Sequence, residues 1–229
     1  MMMFGGIIGG RLPEVVFLTA AANSSNPINN FTQNDQPLGD EHPSRQIIIL
    51  AFGSNANLVS DTNFTTSVAV GGVAATRKVA PPSASMLHFT AWITPRLDSG
   101  GPSGASGTIR VSRSTGNGYE TVAFAAFAAY HLRGSDPVGS YLTISQSPSA
   151  SGPVALASGG ILTAFARAEI TTGFTWNGAD KVYDATGSGV TASQRFSAAM
   201  LNKTSGSAGH TVEADSAANF DRMIAVSWR

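Results

Sequence analysis

The chain has 229 residues, no cysteine, and fourteen basic residues balanced by fourteen acidic ones. That composition excludes a disulfide framework, a thiolate metal site and a cysteine nucleophile, and without a basic excess it argues against a nucleic-acid binder. Charged residues make up 12% of the chain, against roughly 25% in ordinary soluble domains, so Ser, Thr, Asn, Gly and Ala must cover much of the surface.

Residues 1–12 form an apolar, glycine-rich arm carrying Met3, Phe4, Ile7 and Ile8 without helical or strand periodicity. The arm has no basic leader and no cleavage site, so it makes a poor signal peptide. Its expected role is anchorage: apolar side chains of this size stabilise when buried, against their own domain or a neighbouring subunit. No stretch reaches the ~20 apolar residues of a membrane span, so no membrane insertion is expected.

From residue 13 to 229 the chain reads as a single domain. Apolar runs are punctuated by Gly, Pro, Ser and Asn, the rhythm of a sandwich or barrel. Strands are expected at 14–20, 28–32, 46–52, 67–70, 73–79, 87–94, 108–112, 121–132, 141–145, 161–168, 174–176, 195–202, 210–214 and 222–228. Segments 97–107, 146–153 and 185–189 read as loops. Gly71-Gly72 between Val70 and Val73 marks a two-residue hairpin turn. Ile109 and Val111 alternate with Arg110 and Ser112, whereas 46–52 is apolar on both faces and therefore central. The alanine-rich run 121–132 also fits a helical stripe through Phe124, Phe127, Ala128 and His131, since alanine favours helix; strand is the preferred reading. No fixed-period repeat is evident. The predicted fold is all-β, a β-sandwich of jelly-roll type with a short apolar N-terminal arm.

In 87–94, Leu87, Phe89, Ala91 and Ile93 form a core face, and His88, Thr90, Trp92 and Thr94 the opposite one. A Trp among polar groups is a platform for a sugar ring or a partner; a second core layer is the plainer explanation. Trp176 invites the same two readings. Catalytic signals are weak. There is no G-x-S-x-G elbow, and Ser103 and Ser106 lie in a glycine loop. His42, His88, His131 and His210 lack metal-ligand spacing, so no metal or cofactor is expected. Asn177, Asp180 and Asp184 lack the Asp-x-Asp-x-Asp-Gly run of a calcium loop. Two of Glu120, Glu169, Glu213, Asp180 and Asp184 could still form a glycoside-cleaving pair, with solvated strand ends as the plainer reading.

Gly39-Asp40 followed by Arg45-Gln46-Ile47-Ile48-Ile49, the run from Val68 to Thr76, Gly107-Thr108-Ile109-Arg110-Val111 and Ile224-Ala225-Val226-Ser227-Trp228 together resemble virion structural proteins of tailed bacteriophages and prophages. These are of tail-fibre-like or capsid-decoration type, and the resemblance spans roughly residues 35–229 without the arm. It implies a non-enzymatic protein exposed on the virion, assembled in the bacterial host cytoplasm. Other virion proteins and a host surface glycan are its implied partners; a homo-oligomer, with a trimer favoured, is the expected state. No catalytic residues come with the resemblance. Two other functions stay open: a glycan-binding β-sandwich module using Trp92, His88 or Trp176, and a glycan-cleaving enzyme with dispersed carboxylates.

Overall fold

The computed structural model describes residues 11–23, 29–54, 67–80, 87–112, 121–142, 149–169, 172–186, 194–216 and 222–229. Among them the protein is all-β, with antiparallel strands in four sheets and a single 3-10 turn at Leu97–Ser99. The first inner sheet is ordered β1 (Glu14–Asn23), β9 (Thr121–Tyr130), β3 (Gln46–Ser54), β7 (Leu87–Ile93) and β6 (Thr76–Val79). Its outer partner runs β2 (Asn30–Pro37), β8 (Ser106–Ser112), β4 (Ser67–Val70) and β5 (Val73–Ala74). A second inner sheet runs β10 (Gly139–Leu142), β17 (Arg222–Trp228), β12 (Ile161–Ala168), β15 (Arg195–Leu201) and β14 (Asp180–Thr186). Its outer partner is β11 (Ser149–Leu156), β16 (Ser207–Asp215) and β13 (Thr175–Asn177).

Three apolar layers hold the four sheets together. Phe31, Ile49, Trp92, Ile109 and Phe124 fill the layer between the first inner and outer sheets. Val154, Leu162, Phe174, Val212 and Met223 fill the equivalent layer of the second pair. The third layer joins the two inner sheets through Leu50, Phe52, Phe89, Phe127, Phe165, Phe196, Ile224 and Trp228. Aromatic rings cross this central seam: Phe52 lies 5.7 Å from Phe196, Phe89 5.9 Å from Phe165, and Phe17 stacks on Tyr183 at 5.9 Å.

Burial on both faces explains the inner strands. All nine residues of β3 and all eight of β12 are buried, the continuous apolar reading of a sheet covered on both sides. The same setting settles β9 as a strand. It is paired along its length with β1 and β3, and tertiary pairing overrides the helical preference of its alanines. Gly71 and Gly72 take φ of +56° and +80° and turn β4 into β5, the two left-handed residues the tight hairpin demands. Three expectations need correction. Part of the 146–153 loop is strand β11, and β14 is a strand that the sequence reading left out. The 73–79 strand is also divided at Ala75 into β5 and β6, with β6 pairing to β7 in the inner sheet.

The two halves share one strand order. Replacing β1, β9, β3, β7 and β6 by β10, β17, β12, β15 and β14 converts the first inner sheet into the second, and β2-β8-β4 becomes β11-β16-β13 in the same way. Strands β3 and β12 run in the same direction, since Phe52 and Arg167, both close to their strands' C-terminal ends, touch each other. Phe17 of edge strand β1 meets Tyr183 of the opposite edge strand β14. The halves are therefore related by a rotation about an axis along the strands, a repeat of topology rather than of residues.

Candidate functional site

The connections β2–β3, β7–β8 and β9–β10 gather at one end of the stack. Arg45, fully buried, pins two of them: Nη1 donates to the Gly39 carbonyl at 2.9 Å and Nη2 to that of Pro102 at 2.6 Å. Gly39 has φ of +76°, and a Cβ there would lie 2.6 Å from the Tyr130 hydroxyl. Side-chain loss at Gly39 and a buried guanidinium at Arg45 thus have local causes.

Beside them Ser44 ties two histidines. His42 Nδ1 accepts the Ser44 backbone N–H at 3.1 Å, so it is the unprotonated ring nitrogen, and the Ser44 O–H donates to it at 2.7 Å. Ser44 Oγ in turn accepts the His131 backbone N–H at 3.0 Å and lies 3.2 Å from His131 Nδ1, which donates to it. Its proton and both lone pairs are committed, which makes Ser44 a structural node. The knot fixes His131 at φ of +57°, a left-handed conformation costing of order 1–3 kcal/mol in a non-glycine residue. Burial, then the adjacent His42 and Arg11, hold the His131 imidazole below its ordinary pKa. Two recesses flank the knot. One, of about 590 Å³, is lined by Arg11, Glu14, His131 and Lys203; the other, of about 310 Å³, by Asp40, Glu41, His42 and Tyr130.

A third recess, of about 430 Å³, opens between β3, β6, the β7–β8 connection and the β9–β10 crossing. Its walls carry Gln46, Thr76, Arg96, Ser99, Arg133 and Ser135, and Ile93 and Pro95 supply the apolar part. Gln46 is 3% exposed; its Nε2 donates to the Thr94 carbonyl at 3.0 Å, while its Oε1 has no hydrogen-bond partner.

At the opposite end of the central seam, Arg167 and Arg222 are direct cross-strand partners on β12 and β17, 2% and 8% exposed. Arg167 Nη2 pairs with Glu169 at 2.7 Å, and its guanidinium lies 5.6 Å from the Phe52 ring. Arg222 Nε is buried without a partner. Burial, then the facing Arg167 charge, lowers its pKa from the ordinary arginine value.

The residues singled out in the sequence fall in different places. Trp92 is 4% exposed, donates Nε1 to Thr90 Oγ1 at 2.9 Å, and belongs to the layer under the outer sheet. His88 is 1% exposed on the same face. Their strand has a buried layer on each side, so the polar-looking face is a second core layer. Trp176 is half-buried, with Nε1 donating to Ser197 Oγ at 2.9 Å. Met3, Phe4, Ile7, Ile8 and Glu120 lie outside the described residues. Glu169 is engaged by Arg167, and Glu213 accepts from Asn177 Nδ2 at 2.9 Å. Asp184 anchors Arg195 at 2.5 Å and the Phe174 N–H at 2.9 Å. Among the described residues no three His, Asp or Glu side chains gather as metal ligands. The Ser44 knot and the Gln46 recess escaped the sequence reading, because they join residues that only the β3–β9 register brings together. Neither a protein-family model nor a curated protein matches the chain.

Proposed function

We propose that this chain is a non-enzymatic structural protein of a bacteriophage virion, exposed on the particle as a host-adhesion module of the tail or as a head decoration protein. On this reading each half is a jelly roll. The observation that carries it is the pairing β1–β9, β2–β8, β3–β7 and β4–β5, repeated as β10–β17, β11–β16 and β12–β15. That is the pattern of one long antiparallel hairpin wrapped into two facing sheets. Apolar inner sheets locked face to face leave both outer sheets and the loop ends free to meet neighbours. A surface poor in charge favours such packing, because few ions need desolvating.

The arm, residues 1–12, is assigned to anchorage in a homo-oligomer, with closed trimeric symmetry favoured and other virion proteins as its seat. Gold-labelled antibody against the chain should decorate purified phage particles, and the isolated protein should size as an oligomer by light scattering. Removing residues 1–10 should abolish oligomerisation or particle attachment while circular dichroism stays unchanged. A full-length protein that is monomeric and missing from particles would overturn the assignment. Burial of Trp92 and His88 removes the aromatic platform on which the free glycan-binding module relied, and leaves Trp176 as its remaining residue.

A further inference from the structure

We propose that the recess around Gln46 binds an acidic sugar residue, its carboxylate held by Arg133 and its hydroxyls by the side chains of the walls. The lining carries two cations, Arg96 and Arg133, and, among the described residues, no carboxylate. One of them is already used: Arg96 Nη2 donates to the Leu132 carbonyl. Arg133 is exposed, and only its backbone N–H is tied down, to the Arg229 carbonyl at 2.7 Å. Its guanidinium is therefore available for a charge-assisted pair with an anion.

The second requirement comes from Gln46, which lines the recess and whose Oε1 is a buried acceptor without a partner. A ligand hydroxyl that reaches this oxygen supplies the hydrogen bond it lacks. A bare carboxylate or a fully ionised sulfate has no proton to give; a sugar hydroxyl has. Thr76, Ser99 and Ser135 can each donate and accept, matching the two-way hydrogen bonding of a hydroxylated ring. Ile93 and Pro95 supply an apolar patch for its C–H face. Among the described residues no aromatic ring lines the recess, so these walls offer no stacking surface for a nucleobase. A volume of about 430 Å³ lies within the usual range for small-ligand sites.

The idea rests on the surface-protein reading only for the source of the sugar; binding itself is measured on the isolated protein. Titration calorimetry or ligand-observed NMR with D-glucuronate should show binding, about tenfold weaker for D-glucose and for acetate, the loss expected when a charged or a neutral hydrogen bond is forfeited. Arg133→Glu should weaken glucuronate binding by at least about tenfold without changing the melting temperature, since the side chain is exposed. Glucose or acetate binding as well as glucuronate, or an undiminished Arg133→Glu variant, would overturn the proposal. So would tighter binding of the dipeptide Ala-Glu, or no binding at all. None of these failures bears on whether the chain sits on a particle, which antibody labelling decides separately.

Discussion

The inner and outer sheets of this protein obey different rules. In outer strand β2 the burial pattern alternates, with Phe31 buried and Thr32 and Asn34 exposed; in inner strand β12 every residue is buried. One sheet has water on one side, and the other has a sheet on each side. What a strand's sequence looks like therefore reports its layer before it reports its neighbours. Polar residues buried on inner strands, such as Thr90, Thr163 and Ser197, are correspondingly engaged in specific hydrogen bonds.

The contrast can be broken most forcefully at the centre of the seam. Phe165 is fully buried; it touches Phe89 across the two inner sheets and Phe196 on the neighbouring strand of its own sheet. Phe165→Ala should cost about 3–5 kcal/mol, whereas Thr32→Ala on the outer face should stay within about 0.5 kcal/mol. Urea unfolding of both variants provides the measurement. A loss at Phe165 no larger than that at Thr32 would mean the two inner sheets do not share a core.

The same contrast explains what was legible in advance. Alternation marked outer strand β8 through Ile109 and Val111, and the Gly71-Gly72 turn was readable from two residues. Central placement of β3 was also visible, because Ile47 to Phe52 are apolar without a break. Trp92 was hard to place for the opposite reason: His88, Thr90 and Thr94 beside it look like a wet face, yet all three are buried and Thr94 Oγ1 accepts the Ile47 N–H at 2.8 Å. Strand β11 was hidden by Gly152 and Pro153, which an edge strand tolerates because one side of its backbone has no ladder to complete. Strand β14 was hidden by its charges and by the register shift between Lys181 and Tyr183, both common edge features. The repeat left no trace in residues because only facing and order are shared: Phe52 of β3 pairs with Phe89, while in the second half it is Arg167 that pairs with Phe196. The Ser44 knot needed residues 42 and 131 side by side, which no local pattern announces.

A gentler test uses the exception inside the seam. Arg222 faces Arg167 across the strands, its Nε buried without a partner. Replacing a buried, poorly compensated ion by an apolar side chain of similar length is often neutral or stabilising. Arg222→Met should therefore raise the unfolding free energy by about 1 kcal/mol. Arg167→Met, which strands Glu169 and removes the cation beside Phe52, should not. If both substitutions destabilise equally, Arg222 has a structural contact that matters. Of similar size and opposite sign is the turn between outer strands: Gly71→Ala places a Cβ at φ of +56° and 3.2 Å from Pro102, and should cost about 1 kcal/mol by thermal melting.

The smallest effect is expected at the Ser44 knot, and its sign can be worked out. Burial first, then His42, Arg11 and Arg96, lower the His131 pKa in the folded protein, with Glu14 opposing them. In the unfolded chain the imidazole titrates near the ordinary value of about 6.5. Between the lowered folded pKa and about 6.5 the unfolded state therefore binds more protons than the folded one, so stability falls as pH drops through this window. Below the folded pKa both states are protonated and the loss from this residue levels off. Other titrating groups add their own slopes, so the diagnostic quantity is a difference. His131→Asn keeps a residue tolerant of positive φ and has nothing to titrate. Urea unfolding from pH 7 to pH 5 should show a shallower decline for His131→Asn than for the parent. Parallel curves would mean that His131 titrates alike in both states and that the knot does not resist its protonation.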